Sequence, residues 1–455
     1  MTAHRRTALH VRPITFLAAA VLLAAVSWVG HLVASRDAGS VGPTQAGSAV
    51  SDPGNAIGGV AAPVELSTLN DQIALWSRKA AENVNDYISA TNVGVLYLQR
   101  AKLTADLADY DRASQAVARA IAADPGYTPA RSLDAVVRFA THDFAGALTA
   151  AERLLVDEPG QVDALTVQAD ANLELGHLDL ARQGYQRLST MAPAPSLDAR
   201  LARFAYLTGD PARAIDLARQ ARDGSVQLDV ADPAFFQFQL GEIARLTGDP
   251  ATAREAYSAA LAIRPSDRAS IVGLARLDAA DGRPADAIER LRAAIAIAPE
   301  PATVALLGDL LAAQGDVTGA DQQFDTVRFT ARLGSLAGTL YDRQLLLFEL
   351  DHGGASADTL RRAEAALATR ADAAGHDVVA WALHRLGRAD EAWAQIAEAR
   401  GTGIVDARIL YHAGAIAIAR GDREGARALL EQALALGAAI DPLERSDAQG
   451  LLNAL

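Results

Sequence analysis

The side chains best suited to chemistry in this sequence are a few histidines with acidic neighbours. His352 lies in a short segment with Asp351 and Asp358, and His384 and His412 fall on two predicted helices. Imidazole nitrogens and carboxylate oxygens are common ligands of divalent metals. Metal handling or catalysis at one of these groups is therefore one hypothesis. Solvated histidines are more common than ligands, so we assign no metal ligand.

Established catalytic motifs are absent from the sequence. There is no G-x-x-x-x-G-K-[ST] phosphate loop, no H-E-x-x-H zinc motif and no G-x-S-x-G nucleophile elbow. The chain also has no cysteine, which excludes a thiol nucleophile, a disulfide and a zinc–thiolate site. We therefore predict that the protein is not an enzyme, has no catalytic residues and uses no cofactor.

Composition and charge limit the fold and the partners. The net charge of −13 provides no general attraction for phosphates, so we expect no nucleic acid partner. Half of the residues are hydrophobic but only 5% are aromatic, and alanine and leucine dominate the apolar content. This balance favours closely packed helices over a β-sandwich. The sequence therefore predicts an all-α fold.

The N-terminal residues read as a membrane anchor and a tether. Residues 1–13 form a basic segment, and residues 14–34 carry no formal charge and are long enough to cross ~30 Å of hydrocarbon as one transmembrane helix. Basic residues before the span predict a cytoplasmic N-terminus and an extracytoplasmic remainder. The alternative is a cleaved signal segment, which would make the protein secreted. Residues 35–63 are rich in Gly, Ser, Ala and Pro and predict a flexible linker.

A two-helix pattern follows the linker and is clearest in residues 241–265. Gly248 predicts the end of a first helix, because glycine adopts a positive φ at little cost. Small residues such as Ala253 let two helix backbones approach closely. Tyr257 is large enough to fill the space between units, and Pro265 ends the second helix. The segment therefore predicts an antiparallel helical hairpin.

The hairpin pattern recurs along most of the chain, mainly at intervals of 33 or 34 residues. Its small residue recurs at Ala113, Ala147, Ala181, Ala214, Ala253, Ala287, Ala320, Ala392 and Ala426. This pattern resembles the tetratricopeptide repeat. The resemblance implies a right-handed solenoid of about ten repeats over residues 95–441. We expect a helical N-terminal cap at 64–94 and a C-terminal capping helix at 442–455, because terminal repeats would otherwise expose apolar faces.

The resemblance also implies a concave, ligand-facing groove lined by the first helix of each repeat. Counting back from the hairpin glycines places a set of side chains on this surface: Arg203, Tyr206, Phe238, Glu242, Arg245, Arg276, Trp381, His384 and Tyr411. Arginine and aromatic residues often anchor interfaces. Alternatively, each side chain is solvated or packs against a neighbouring helix. As a groove residue, Arg245 is expected to be replaceable by alanine with little loss of stability.

These expectations predict a membrane-tethered, extracytoplasmic scaffold that binds other proteins. Its groove would take an extended segment or a helix of a partner. Residues 14–34 would supply the membrane contact. The main alternative is a self-associating structural solenoid, a homo-oligomer in which another copy fills the groove. A metal-handling or enzymatic accessory role is a minor alternative.

Overall fold

The computed structural model describes residues 66–104, 106–228, 230, 232–332 and 342–455, and every α-helix named here lies within them. The predicted membrane anchor and linker lie outside these residues. The α-helices are α1 Leu66–Glu82, α2 Tyr87–Thr104, α3 Leu107–Ala123, α4 Thr128–Ala140, α5 Phe144–Asp157, α6 Val162–Glu174, α7 Leu178–Met191, α8 Pro195–Leu207, α9 Pro211–Gln227, α10 Pro233–Leu246, α11 Pro250–Ile263, α12 Arg268–Ala280, α13 Pro284–Ile297, α14 Pro301–Ala313, α15 Val317–Thr330, α16 Asp342–Asp351, α17 Ala357–Thr369, α18 Ala373–Arg385, α19 Ala389–Gly401, α20 Ala407–Ala419, α21 Arg423–Ala435 and α22 Pro442–Ala454.

The predicted all-α solenoid is confirmed. Over the described residues, α2 to α21 pair consecutively into ten helical hairpins, preceded by α1 and followed by α22. The first hairpin begins at Tyr87, and α1 and α22 lie within the segments predicted as caps. Among the described residues, none of the helices combines the length and the apolar content that a membrane crossing requires.

Each hairpin forms for local reasons that the sequence makes visible. In the α10–α11 hairpin, Gly248 follows the first helix with a φ of +83°. Asp249 then caps α11, because its carboxylate accepts the backbone N–H of Thr252 at 3.0 Å. Pro250 occupies the first position of α11, where its missing N–H costs nothing. Local residue types therefore determine where the first helix ends and the second begins.

The hairpin turns require a left-handed residue, and the chain provides one even where glycine is missing. Positive φ values occur at each predicted hairpin glycine: Gly176, Gly209, Gly248, Gly282, Gly315, Gly353, Gly387 and Gly421. In the second hairpin the position is His142, which adopts a φ of +60°. It is the one non-glycine residue with positive φ in the described part of the chain. The conformation thus persists although the residue type has changed.

The predicted small residues form the interior of the hairpins. Ala253 is fully buried, and its eight counterparts are at most 2% exposed. The ring of Tyr257 occupies the space that a side chain at Gly241 or Gly273 would need. This tyrosine is fully buried between two first helices, as its position in the pattern predicts. Close packing therefore demands small residues at these positions.

The solenoid also winds back onto itself, which the sequence pattern does not predict. Three successive hairpin glycines each lie against a loop 188 to 195 residues further along the chain. These contacts are Gly176 with Ala371, Gly209 with Gly403 and Gly248 with Leu436. Because their order is preserved, the second winding (α14–α22) stacks along the first winding (α2–α13). The C-terminal helix α22 accordingly contacts α12 and α14 as well as α21.

Candidate binding surface

The nine residues predicted to face the groove fall into two groups, one on each winding. The first-winding group lies on α8, α10 and α12 and comprises Arg203, Tyr206, Phe238, Glu242, Arg245 and Arg276. The second-winding group lies on α18 and α20 and comprises Trp381, His384 and Tyr411. Most of the first-winding group serves the contact between the two windings, whereas the second-winding group forms a cluster of its own.

Tyr206 connects the end of α8 to the start of α20. Its hydroxyl donates to Asp406 Oδ2 at 2.8 Å, across 200 residues of sequence. Asp406 is also the N-cap of α20 and accepts the backbone N–H groups of Arg408 and Ile409. Burial and the neighbouring Asp406 carboxylate raise the pKa of Tyr206 well above its usual value. Tyr206 therefore recognises the N-terminus of a helix from its own chain.

Arg245 makes a similar contact one hairpin later. Its Nη1 donates to the carbonyl oxygen of Ala438 at 3.0 Å, and its Nη2 lies 2.9 Å from Glu242 Oε2. Burial alone would raise the pKa of Glu242, but the Arg245 charge together with hydrogen bonds from Arg245 and Tyr257 lowers the pKa. Arg245 is only 7% exposed. It is thus a packing residue in this structure, and its removal is no longer expected to leave stability unchanged.

Two further arginines of the first-winding group form ion pairs. Arg203 lies 2.5 Å from Glu174, which also pairs with Arg370 of the second winding. Burial would raise the pKa of Glu174, but the two guanidinium charges lower it to about 2. Arg276 pairs with Asp441, the residue preceding α22. These pairs place charge complementarity along the contact between the windings.

The second-winding group forms an aromatic cluster inside the solenoid. Trp381 donates its indole N–H to Asp351 Oδ1 at 2.8 Å. His384 and His412 lie nearly parallel to the indole, with ring centroids 5.0 and 4.0 Å away. Tyr411 packs at a tilt, 5.6 Å from Trp381. This geometry is typical of a buried aromatic core with polar edges.

The titration of the two histidines differs because their surroundings differ. Burial and the neighbouring His412 lower the pKa of His384 to about 4. His412 lies 2.7 Å from Asp377 Oδ1 through its Nδ1, and this carboxylate overcomes the effect of burial and raises the pKa of His412. The two rings therefore favour opposite charge states.

Phe238 belongs to the hairpin core rather than to the contact between the windings. It is half-buried, and its ring centroid lies 6.3 Å from that of Tyr257.

The residues proposed for a metal site do not converge. His352 Nε2 lies 2.9 Å from Asp309, whereas Asp351 accepts from Trp381 and Asp358 pairs with Arg361 and Arg362. In the described ranges no group of three or more His, Asp or Glu side chains is arranged to hold a metal ion. His352 and Asp351 instead contact neighbouring helices, and Asp358 pairs within its own helix.

Sequence reasoning missed the partners of the first-winding group, which are Glu174, Arg370, Asp406, Ala438 and Asp441. One signal was nevertheless available. The loops after five hairpins carry an exposed or half-buried proline at the same repeat position, represented by Pro265. At that position the last two hairpins have Ile404 and Ala438, which are 9% and 5% exposed. Apolar residues at the position where other hairpins have surface prolines therefore marked the loops that the first winding covers.

Comparison with known sequences supports the repeat assignment. Two profiles of the tetratricopeptide repeat match the chain, one over residues 244–300 and the other over 134–196 and 200–268. The chain contains tetratricopeptide repeats. Neither matching profile describes a catalytic domain. No curated protein matches the sequence.

Several solved structures with tetratricopeptide-like architecture are similar to this chain. The type IV pilus biogenesis factor PilW is 17% identical, with a TM-score of 0.38, and the match covers 47% of this chain and 98% of PilW. Human IFIT1, as a dimer with PPP-AAAA, is 14% identical, with a TM-score of 0.44, and the match covers 81% of this chain and 86% of IFIT1. Yeast Tom70 is 13% identical, with a TM-score of 0.34, and the match covers 85% of this chain and 93% of Tom70. Similarities this distant carry no information about what this chain binds.

The tetratricopeptide hairpins extend beyond the matched residues. Hairpins such as α2–α3 and α20–α21 lie outside them, yet they keep the buried small residues Ala113 and Ala426. A repeat array of this length presents a large surface suited to protein interaction.

Proposed function

We propose that this protein is a membrane-tethered, extracytoplasmic scaffold that binds another protein through the inner surface of its solenoid. The uncharged segment 14–34, with basic residues before it, supports the tether and the orientation. The linker 35–63 would hold the repeats away from the bilayer. The tetratricopeptide repeats supply the binding surface.

One observation carries the choice of surface. Tyr206 and Arg245 hold a carboxylate and a backbone carbonyl of the same chain, at 2.8 and 3.0 Å. Arg276 holds the carboxylate of Asp441 just before α22. The first winding therefore already binds protein groups at the start of a helix or in the turn that precedes one. A partner helix or extended segment with an acidic N-terminal end would satisfy the same donors when the second winding separates.

Cross-linking the two windings tests whether the inner surface is used. The chain has no cysteine, so Ala212→Cys with Val405→Cys introduces two thiols without background, at exposed sites that flank the contact between Gly209 and Gly403. The full chain, solubilised in detergent, is used to capture partners from membranes before and after treatment with a short thiol cross-linker. We expect a partner that binds the untreated variant and is lost after cross-linking. The single variant Ala212→Cys, treated in the same way, is the control.

Either of two outcomes would reject this assignment. Capture that survives cross-linking would place the binding site on the outer surface of the solenoid. If the untreated double variant and the wild-type chain both capture nothing, the scaffold proposal fails.

The tether is tested separately. Deletion of residues 14–34 should move the protein from the membrane fraction to a soluble fraction. When the outermost barrier of the cells is permeabilised and the membrane that holds the protein stays sealed, added protease should degrade the repeats of the full-length protein. Protection of the repeats until the inner membrane is lysed would reject the extracytoplasmic orientation.

A further inference from the structure

The second helices of six successive hairpins end on an exposed apolar side chain. Each of these residues lies in the last two positions of its helix, and their exposure ranges from 39% to 80%. We call them the knob row: Val156, Met191, Val226, Ile263, Ile297 and Phe329. They recur at intervals of 32 to 37 residues, once per hairpin. A repeated row of this kind is more typical of an interaction surface than of scattered exposed hydrophobic residues.

The last hairpin shows what covers such a residue. Leu436 stands ten positions after Ala426, as Ile263 does after Ala253 and Ile297 after Ala287. Leu436 is half-buried because it lies against the hairpin turn at Gly248. A Cβ atom at Gly248 would be 3.6 Å from Leu436 Cδ2. The apolar side chain therefore packs onto the turn at ordinary contact distance.

Later hairpin turns are uncovered by the rest of the described chain. A Cβ atom built on their glycines would meet no atom of the described residues within 4 Å. We call these glycines the hole row: Gly282, Gly315, Gly353, Gly387 and Gly421. Knobs and holes each occur once per hairpin, so the two rows share the spacing of the repeats. Within one chain the rows lie on opposite edges, because the turn of a hairpin and the end of its second helix are at opposite ends of the two antiparallel helices.

We propose that a second copy of this chain docks its knob row onto the hole row of the first, and so continues the stacking of windings. The occupant is a second copy because the contact of Leu436 with Gly248 already shows this fit within the chain. The contact is head-to-tail, so each bound copy leaves one free edge and the assembly grows as a linear stack. This interface would use hairpin turns that the second winding leaves uncovered.

Sedimentation velocity of the full chain in density-matched detergent tests the proposal. We expect a weight-average protein mass that rises with concentration beyond twice the 47.5 kDa of one chain. The knob variant Ile263→Glu with Ile297→Glu and the hole-edge variant Val317→Glu with Thr318→Glu should each remain monomeric. The hole-edge residues are exposed at the start of α15, next to Gly315, where acidic residues suit the helix dipole.

Mixing the two variants gives the sharpest result. The hole-edge variant keeps an intact knob row and the knob variant keeps an intact hole row. An equimolar mixture should therefore form a dimer and nothing larger. Leu180→Glu, at an exposed apolar site outside both rows, is the matched control and should assemble like the wild type.

Three results would overturn the proposal. The first is a wild-type chain that stays monomeric at every concentration. The second is an assembly that either edge variant leaves intact. The third is a mixture of the two variants that stays monomeric although each alone is monomeric, since this would indicate a symmetric contact using both edges at once.

Discussion

At the scale of single residues, side chains that were predicted to face the groove instead hold the two windings together. Tyr206 and Arg245 are residue types that are common at binding surfaces. Each is nevertheless less than 8% exposed and forms a hydrogen bond with the second winding. Their types were predictable, since an aromatic and an arginine suit protein recognition. Their partners were not, because Asp406 and Ala438 lie about 200 residues away and no local pattern connects them.

Arg245→Ala should destabilise the fold by about 3 kcal/mol, because it leaves the Ala438 carbonyl without its donor and the Glu242 carboxylate without its paired positive charge, with only the Tyr257 hydroxyl still donating to it. Thermal or urea unfolding of the full chain measures the loss. Arg361→Ala is the control, because its guanidinium group is 71% exposed and pairs with an exposed aspartate, so little change is expected. Equal losses in the two variants would refute the structural role of Arg245.

The free energy of unfolding that His384 and His412 contribute should be greatest at a pH near 6.5, the ordinary pKa of histidine. The pKa of His384 is lowered to about 4, so the unfolded chain binds more protons below pH 6.5 and this contribution is lost as the pH falls towards 4. The pKa of His412 is raised, so its contribution is full below pH 6.5 and is lost as the pH rises through the folded value.

Thermal unfolding against pH checks this prediction. His384→Gln should flatten the acidic side of the profile, and His412→Gln the alkaline side. Around His412, the charges of Asp377, Glu444 and Asp351 all favour its protonated form. An alkaline side that is identical in wild type and His412→Gln would show that the Asp377 pair does not contribute as described.

At the scale of elements, the hairpin was largely predictable because its determinants are local. A positive φ, an aspartate cap and a buried alanine each depend on a few neighbouring residues, as Gly248, Asp249 and Ala253 show. What covers each hairpin turn was not predictable. Gly209 and Gly315 look alike in sequence and have φ values of +81° and +83°, but only Gly209 lies beneath a second backbone.

Gly209→Ala should therefore destabilise the protein more than Gly315→Ala. Both variants lose about 1–2 kcal/mol because alanine is strained at positive φ. Gly209→Ala should lose about 2 kcal/mol more, because its Cβ collides with the carbonyl oxygen of Gly403. Urea unfolding of the two variants gives the difference, which measures the contact between the windings. A difference near zero would mean that this contact is loose in solution.

Ala253→Arg should cost several kcal/mol, because it places a long charged side chain in a fully buried helix contact. Ala251→Arg on the same helix is exposed and should be nearly neutral. Thermal denaturation of the pair checks the repeat alignment. An unchanged melting curve for Ala253→Arg would show that the alignment of this hairpin is wrong.

At the scale of the whole molecule, the winding emerges from small rotations that add up over many hairpins. No single hairpin records that rotation in its sequence, so the repeats were predictable and their return onto themselves was not. The substitution of the surface proline by Ile404 and Ala438 was the one clue. It is meaningful only once the covering elements are known.

Spin labels at Ala212→Cys and Val405→Cys should give a single short distance by pulsed dipolar spectroscopy. Both sites are exposed, and they flank the contact between Gly209 and Gly403. The absence of native cysteine makes the labelling specific. Labels at Ala212→Cys and Arg361→Cys, of which only the first flanks this contact, provide the reference. A broad, long distribution for the first pair would show that the windings separate in solution.

The pairing of hairpins nearly 200 residues apart has a kinetic consequence. An open solenoid has only neighbour contacts, so its mean contact order is low and folding can propagate rapidly from any repeat. The contact of Tyr206 with Asp406 adds loop closure over six hairpins to that process. Folding should thus proceed in two stages, with rapid growth of the hairpins followed by slower docking of the windings, and unfolding should begin with their separation.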